Sequence, residues 1–147
     1  MSLRVLLAEN ERAVADSFGM ILRANGYDTR VAYSGEEALQ LLDGFKPDAL
    51  VTDLLMPGMS GMGLARQIWK VLPGCSVLFI SGDGELLELA DQFTTQTRKV
   101  KAITKPLHPN QLLEFVASCD VNADDANTNR EADQMPIQQI TSFRKKS

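Results

Sequence analysis

Residues 48–61 read Asp48-Ala-Leu-Val-Thr-Asp53-Leu-Leu-Met-Pro57-Gly-Met-Ser-Gly61. Ala49, Leu50 and Val51 form a short apolar run, rich enough in branched side chains to read as a buried strand. Asp53 stands where that strand runs out. Pro57, Gly58 and Gly61 then punctuate a loop before the next helical pattern. In an open α/β sheet, ligands and chemistry collect at the carboxyl ends of the strands, so a carboxylate here is a candidate site. On this stretch alone, Asp53 is equally well read as a turn cap, a common use of Asp.

Working outward towards the N-terminus, residues 3–8 read as a buried strand ending at Glu9 and Asn10. Val14, Phe18, Ile21 and Leu22 then fall on one helical stripe that Asn25-Gly26 stops. Residues 27–33 alternate like a strand, with Val31 and Tyr33 on one side. Ser34 with Glu37 makes a capping-box pattern for a helix buried through Ala38, Leu41, Leu42 and Phe45 and ended by Lys46-Pro47.

Towards the C-terminus, Leu64, Ala65, Ile68 and Leu72 predict a helix over about 62–72, and Pro73-Gly74 turns the chain into the β-like run 76–80. A polar loop, 81–84, precedes a helix placed at about 85–95 by Leu86, Leu89, Ala90 and Phe93. Val100 and Ile103 carry a fifth strand over 99–104, closed by Lys105-Pro106. Pro109 suits a first helical turn, and Leu112, Leu113 and Val116 supply the face of the last helix. Five strands alternating with five helices predict a doubly wound parallel sheet clothed on both faces. The flavodoxin-like order 2-1-3-4-5 is the expected topology.

The bulk numbers agree. The chain has 147 residues, enough for one domain with a sizeable core. It is 44% hydrophobic and 23% charged, ordinary for a globular protein. A net charge of −4 offers no general attraction to nucleic acid or to an anionic membrane. Cys75 and Cys119 have no metal-type spacing and are too few for a disulfide scaffold. No signal-like leader or membrane-length apolar run is present, and the expected compartment is the cytoplasm. The texture changes near Asp120: residues 1–119 form the predicted domain, and 120–147 read as a polar, disordered tail ending in Arg144-Lys145-Lys146. Within it, only 137–143 has helical spacing, through Ile137, Ile140 and Phe143.

The predicted sheet brings five polar groups to one rim: Glu9 and Asn10 from the first strand, Asp53 from the third, Ser81 from the fourth and Lys105 from the fifth. Two acids, an amide, a hydroxyl and an ammonium suit phosphoryl transfer. Hard oxygen donors around two carboxylates suit Mg²⁺. Asp53 is the candidate nucleophile and phospho-acceptor. Lys105, with the metal, neutralises charge on the transferred group, and Ser81 donates a hydrogen bond to it.

These features resemble the receiver domain of two-component response regulators. The pattern is Asp-x-x-Met-Pro-x-x-x-Gly at 53–61, the acid after strand one, Ser81 after an apolar strand, and Lys105-Pro106. Each piece is weak alone and strong jointly. The resemblance covers about residues 3–119. It implies phosphorylation of Asp53 by a sensor histidine kinase or phosphotransferase, with Mg²⁺ held by Glu9, Asn10, Asp53 and the Leu55 backbone carbonyl. It further implies output through an unidentified effector protein, and it leaves room for a homodimer. No nucleic-acid or membrane partner is expected, nor catalysis beyond the protein's own phosphorylation and dephosphorylation.

The pattern breaks in two places. The family usually carries a second acid where Asn10 stands, so weaker Mg²⁺ binding is expected. An aromatic residue usually stands where Ala102 is, and often where Leu107 is; without it, coupling to the surface needs another two-state element. The stretch 94–99 also replaces a small Gly-Ala pair, which predicts a reshaped signalling face. Trp69 is expected to pack, and His108 to be a turn residue rather than a phosphohistidine. The alternative function is a pseudo-receiver that binds partners independently of phosphorylation. A small-molecule hydrolase would need a second carboxylate where Leu54 and Leu55 stand. Leu55 itself is expected to hinder water attack on an acyl-phosphate.

Overall fold

Five strands and four α-helices alternate along residues 2–82 and 90–120, the part of the chain that the computed structural model describes. The elements are β1 (Arg4–Ala8), α1 (Arg12–Ala24), β2 (Asp28–Ala32), α2 (Gly35–Leu41) and β3 (Ala49–Asp53). They continue with α3 (Gly61–Val71), β4 (Ser76–Ser81), a 3₁₀ turn (Asp91–Phe93), β5 (Val100–Thr104) and α4 (Pro109–Cys119). All strand pairs are parallel, in the order β2-β1-β3-β4-β5, as expected.

β3 lies in the middle, and its five residues are all buried, which explains a run with no polar–apolar alternation. Its flanks are equally apolar: β4 is buried along its whole length. Alternate side chains feed two cores. Leu6, Leu50, Val77 and Phe79 meet α2 and α3 on one face. Val5, Leu7, Val51, Leu78 and Ile80 meet α1 and α4 on the other. α1 approaches closest through Ala15, Gly19 and Leu22, while Val14, Phe18 and Ile21 of the expected stripe are only half-buried beside it. Small side chains let a helix axis come nearer the sheet than the large ones would.

Two helix expectations need correction. α2 starts as expected, with Ser34 Oγ accepting from Glu37 N–H at 3.0 Å. The reciprocal bond slips by one residue: Glu37 Oε1 accepts from Tyr33 N–H at 2.6 Å. The helix then ends at Leu41, well before Lys46-Pro47. Leu42 and Gly44 N–H reach only three residues back, to Leu39 and Leu41 at 3.1 and 3.2 Å, so the chain tightens into a turn. Phe45 still enters the core from that turn. The helix expected over 85–95 lies outside the described residues as far as 89; residues 91–93 form only the 3₁₀ turn. Described α-helices therefore number four where five were expected. The tail beyond residue 120, with its 137–143 stretch, is also outside the described residues. Among the described residues, no helix is long and apolar enough to cross a membrane.

Both cysteines are free, and Cys75 is buried under α3. Burial pushes the Cys75 thiol from 9.0 up to about 12. The folded chain therefore keeps a proton that the unfolded chain loses from about pH 9 upward, and stability falls as pH rises through that window. The cost approaches about 1.4 kcal/mol per pH unit. Urea unfolding at pH 8 and pH 10 is expected to show a smaller alkaline loss for Cys75→Ala than for the wild type; equal losses would refute it.

Candidate functional site

The carboxyl ends of β1, β3, β4 and β5 meet at one rim. β3 delivers Asp53, only 3% exposed. Its backbone is clamped on both sides: Thr52 Oγ1 donates to the Asp53 carbonyl at 2.9 Å, and Leu54 N–H donates to the Ile80 carbonyl at 2.9 Å. Gly61 N–H closes the loop by donating to the Leu54 carbonyl at 2.8 Å, so the start of α3 sits directly over the strand end. Lys105, beyond β5, donates from Nζ to Asp53 Oδ2 at 2.9 Å. Lys105 N–H donates to the Ser81 carbonyl at 2.7 Å, which holds the end of β5 against that of β4; the Lys105–Pro106 peptide is cis.

β1 delivers Glu9, 2% exposed, whose Oε2 accepts from Glu11 N–H at 2.8 Å. Asn10 is exposed at the loop tip. Ser81 ends β4, 4% exposed, opposite Thr104 in register. Leu55 N–H makes only a long 3.4 Å contact to Asp53 Oδ1, and its side chain is 73% exposed. The rim thus brings together Glu9, Asp53, Lys105 and Ser81, with Asn10 and Leu55 at its edge.

Its electrostatics favour a cation. Burial raises the Glu9 carboxyl above its usual range, an effect that the Glu11 N–H opposes and the Asp53 charge adds to. The hydrogen bond to Asp53 raises the Lys105 ammonium, burial opposes it, and the charges of Asp53, Glu9 and Glu11 reinforce it. Glu9 and Asp53 put two buried carboxylates at the rim, and such hard oxygen donors fit Mg²⁺, an ion that takes one or two carboxylates and keeps several waters. Among the described residues, no three acidic, His or Cys side chains group closely enough to hold a metal by themselves.

Two residues escaped the sequence reading. Glu36 Oε2, from the first turn of α2, accepts from Met59 N–H at 3.1 Å and packs beside Gly58, whose φ of 80° suits glycine. It tethers the loop that follows Asp53, and 23 residues of separation hid it. Glu11 shares a cavity of about 290 Å³ with Glu9, Lys105, Phe18, Ile80 and Leu107; its place two residues after Glu9 was the available signal.

At the departures, Ala102 pairs with Phe79 and is half-buried, and Leu107 is buried in the α1–α4 core. Trp69 packs as expected, its Nε1 donating to the Cys75 carbonyl at 2.9 Å and its ring stacked on Phe93 at 5.7 Å. Arg98 lies 3.9 Å over the same ring and donates to the carbonyls of Phe93 and Pro73, at 2.8 and 3.1 Å. The 94–99 stretch is therefore pinned to α3. His108 precedes α4, its N–H bonded to Gln111 Oε1 at 2.9 Å.

Residues 5–117 match the response regulator receiver domain family. Response regulator MprA of Mycobacterium ulcerans is 41% identical over 68 residues, which cover 46% of this chain and 29% of that protein. The same regulator of Mycobacterium tuberculosis is 41% identical over 68 residues, 46% of this chain and 30% of that one. The match thus spans less than a third of these curated relatives. Among solved structures, the receiver domain of the hybrid histidine kinase CckA is 32% identical, covers 79% of this chain and 97% of its own, and has a TM-score of 0.63. A CheY-like receiver domain protein from Methanospirillum hungatei is 25% identical, covers 85% and 99%, and has a TM-score of 0.71. In fold, response regulator TrrA of Thermotoga maritima, solved in complex with Mg(2+)-BeF, is similar at a TM-score of 0.67 and 23% identity, covering 80% and 98%.

Proposed function

The chain belongs to the response regulator receiver domain family, and on that footing we propose that it is a switch phosphorylated on Asp53. Receiver domains work with histidine kinases or phosphotransferases in two-component signalling. The observation that carries the reading is the buried Asp53 paired with Lys105 at 2.9 Å, beside the buried Glu9. Asp53 Oδ1, which among the described residues has only the long Leu55 contact, attacks the phosphorus of a phosphohistidine. An O–P bond forms and the N–P bond breaks; its electron pair stays on the imidazole nitrogen, which takes up a proton. Glu9, Asn10, Asp53 and the Leu55 carbonyl would hold a divalent cation. When bound, Mg²⁺ supplies positive charge against the phosphoryl oxygens; the Mg(2+)-BeF complex of TrrA supports that reading. Lys105 meets a second phosphoryl oxygen as it leaves Asp53 Oδ2, and the Ser81 hydroxyl donates to a third.

Intact-protein mass after incubation with a small phosphodonor tests this. One phosphate-sized gain that requires Mg²⁺ is the expected result. No gain from either a small donor or a cognate kinase would overturn it. Asn10 and Ala102 favour a second reading, a pseudo-receiver whose partner affinity is the same with and without phosphodonor.

Leu55 bears on lifetime. An exposed apolar side chain two residues from the acceptor keeps water away from an acyl-phosphate. Leu55→Asn is expected to speed phosphate loss roughly tenfold, about 1.4 kcal/mol of barrier. The decay of phosphorylated protein, followed by mass after donor removal, measures this, and an unchanged half-life refutes it.

A further inference from the structure

The loop from β1 to α1 reads Glu9-Asn10-Glu11, and its middle residue is neutral and exposed. Glu11 is the N-cap of α1, yet its side chain makes no cap hydrogen bond. Two of the other three N-cap side chains are used in this way: Ser34 Oγ and Ser60 Oγ each accept a helix N–H at 3.0 Å. Among the described residues, Glu11 forms no ion pair either. Its backbone N–H is committed to Glu9 Oε2 at 2.8 Å, which ties Glu11 to the buried acid. Glu11 lines the same cavity as Glu9 and Lys105, and its charge acts on both of those groups.

We infer that Glu11 is a further charge-bearing residue of the cation site, attracting a divalent ion through its hydration shell and replacing charge that Asn10 lacks. The inference rests on the reading of the rim as a Mg²⁺ site. Direct ligation is not required of Glu11, since Mg²⁺ keeps several of its waters and no three acids converge as ligands among the described residues. The ordinary role of a Glu at a helix start is to complement the helix dipole. That role would alter stability and leave ion affinity alone, so the two are separable.

The test is calorimetric titration of the full chain with Mg²⁺. Glu11→Gln is expected to weaken binding roughly 3- to 10-fold at low salt, the size of one charge facing a divalent ion across water, and the effect should shrink at high ionic strength. Asp43→Asn, which removes the same charge from an exposed turn, is expected to change nothing. Glu11→Ser, neutral but a better cap, should weaken binding as much as Gln while keeping the melting temperature. Adding Asn10→Asp to Glu11→Gln should restore affinity to at least the wild-type level. Wild-type affinity in Glu11→Gln, or an equal loss in Asp43→Asn, overturns the inference alone. No Mg²⁺ binding by the wild-type chain overturns the site reading with it.

Discussion

Asp53→Asn is expected to abolish the phosphate-sized mass gain, slowing acceptance by at least about a thousandfold. The amide keeps the shape of the side chain and removes the anionic oxygen that attacks phosphorus. It also removes the partner of Lys105. That loss is tolerable for the fold, because the Lys105 side chain is 42% exposed and recovers water when its carboxylate goes. The carboxylate removed had itself been buried beside Glu9. A melting temperature within a few degrees of wild type should therefore accompany the lost reaction. Phosphate gain at wild-type rate in Asp53→Asn would move the acceptor to another side chain.

The second large effect belongs to Gly61. A Cβ built there falls inside contact distance of the Asp53 carbonyl oxygen and lies 3.0 Å from Leu54 Cα. Both neighbours are backbone, and the Gly61 N–H bond to Leu54 holds them in place. Gly61→Ala must therefore push α3 away from the end of β3, at a cost of about 3 kcal/mol, read as a fall in melting temperature of about 10 °C. Phosphorylation should slow as well, since the strand end that carries Asp53 moves. Gly63, two residues further into α3, is the internal comparison. A Cβ there meets only the side chains of Met59 and Ser60, each at 3.4 Å, so Gly63→Ala is expected to be neutral or to gain about 0.5–1 kcal/mol. If the two substitutions melt alike, the close-approach argument fails.

Where the sequence reading succeeded, the signal was local. The apolar runs of β3 and β4, the stop residues between elements and the alternation of strand with helix are printed in consecutive residues. Parallel order and right-handed crossovers then leave few arrangements. Asp53 was placed at a strand end because the apolar run stops there, and Lys105 because Pro106 follows it. The helix ends were less legible. α2 stops at Leu41 because its last N–H groups take shorter-range partners, and no residue there spells a stop as plainly as Lys46-Pro47.

Burial period and chain punctuation, which act within about ten residues, therefore sufficed to specify a five-stranded parallel sheet and which side chains reach its carboxyl rim. The contacts that make the rim a site needed the folded chain. Lys105 and Asp53 are 52 residues apart, and Glu36 and Met59 are 23 apart. The same holds for the close approach of Gly61 to Asp53 and for the cavity that Glu11 shares with Glu9. Distances of a few ångströms between separate elements depend on how helices seat against the sheet, and that is set by packing of all the side chains together rather than by any one stretch.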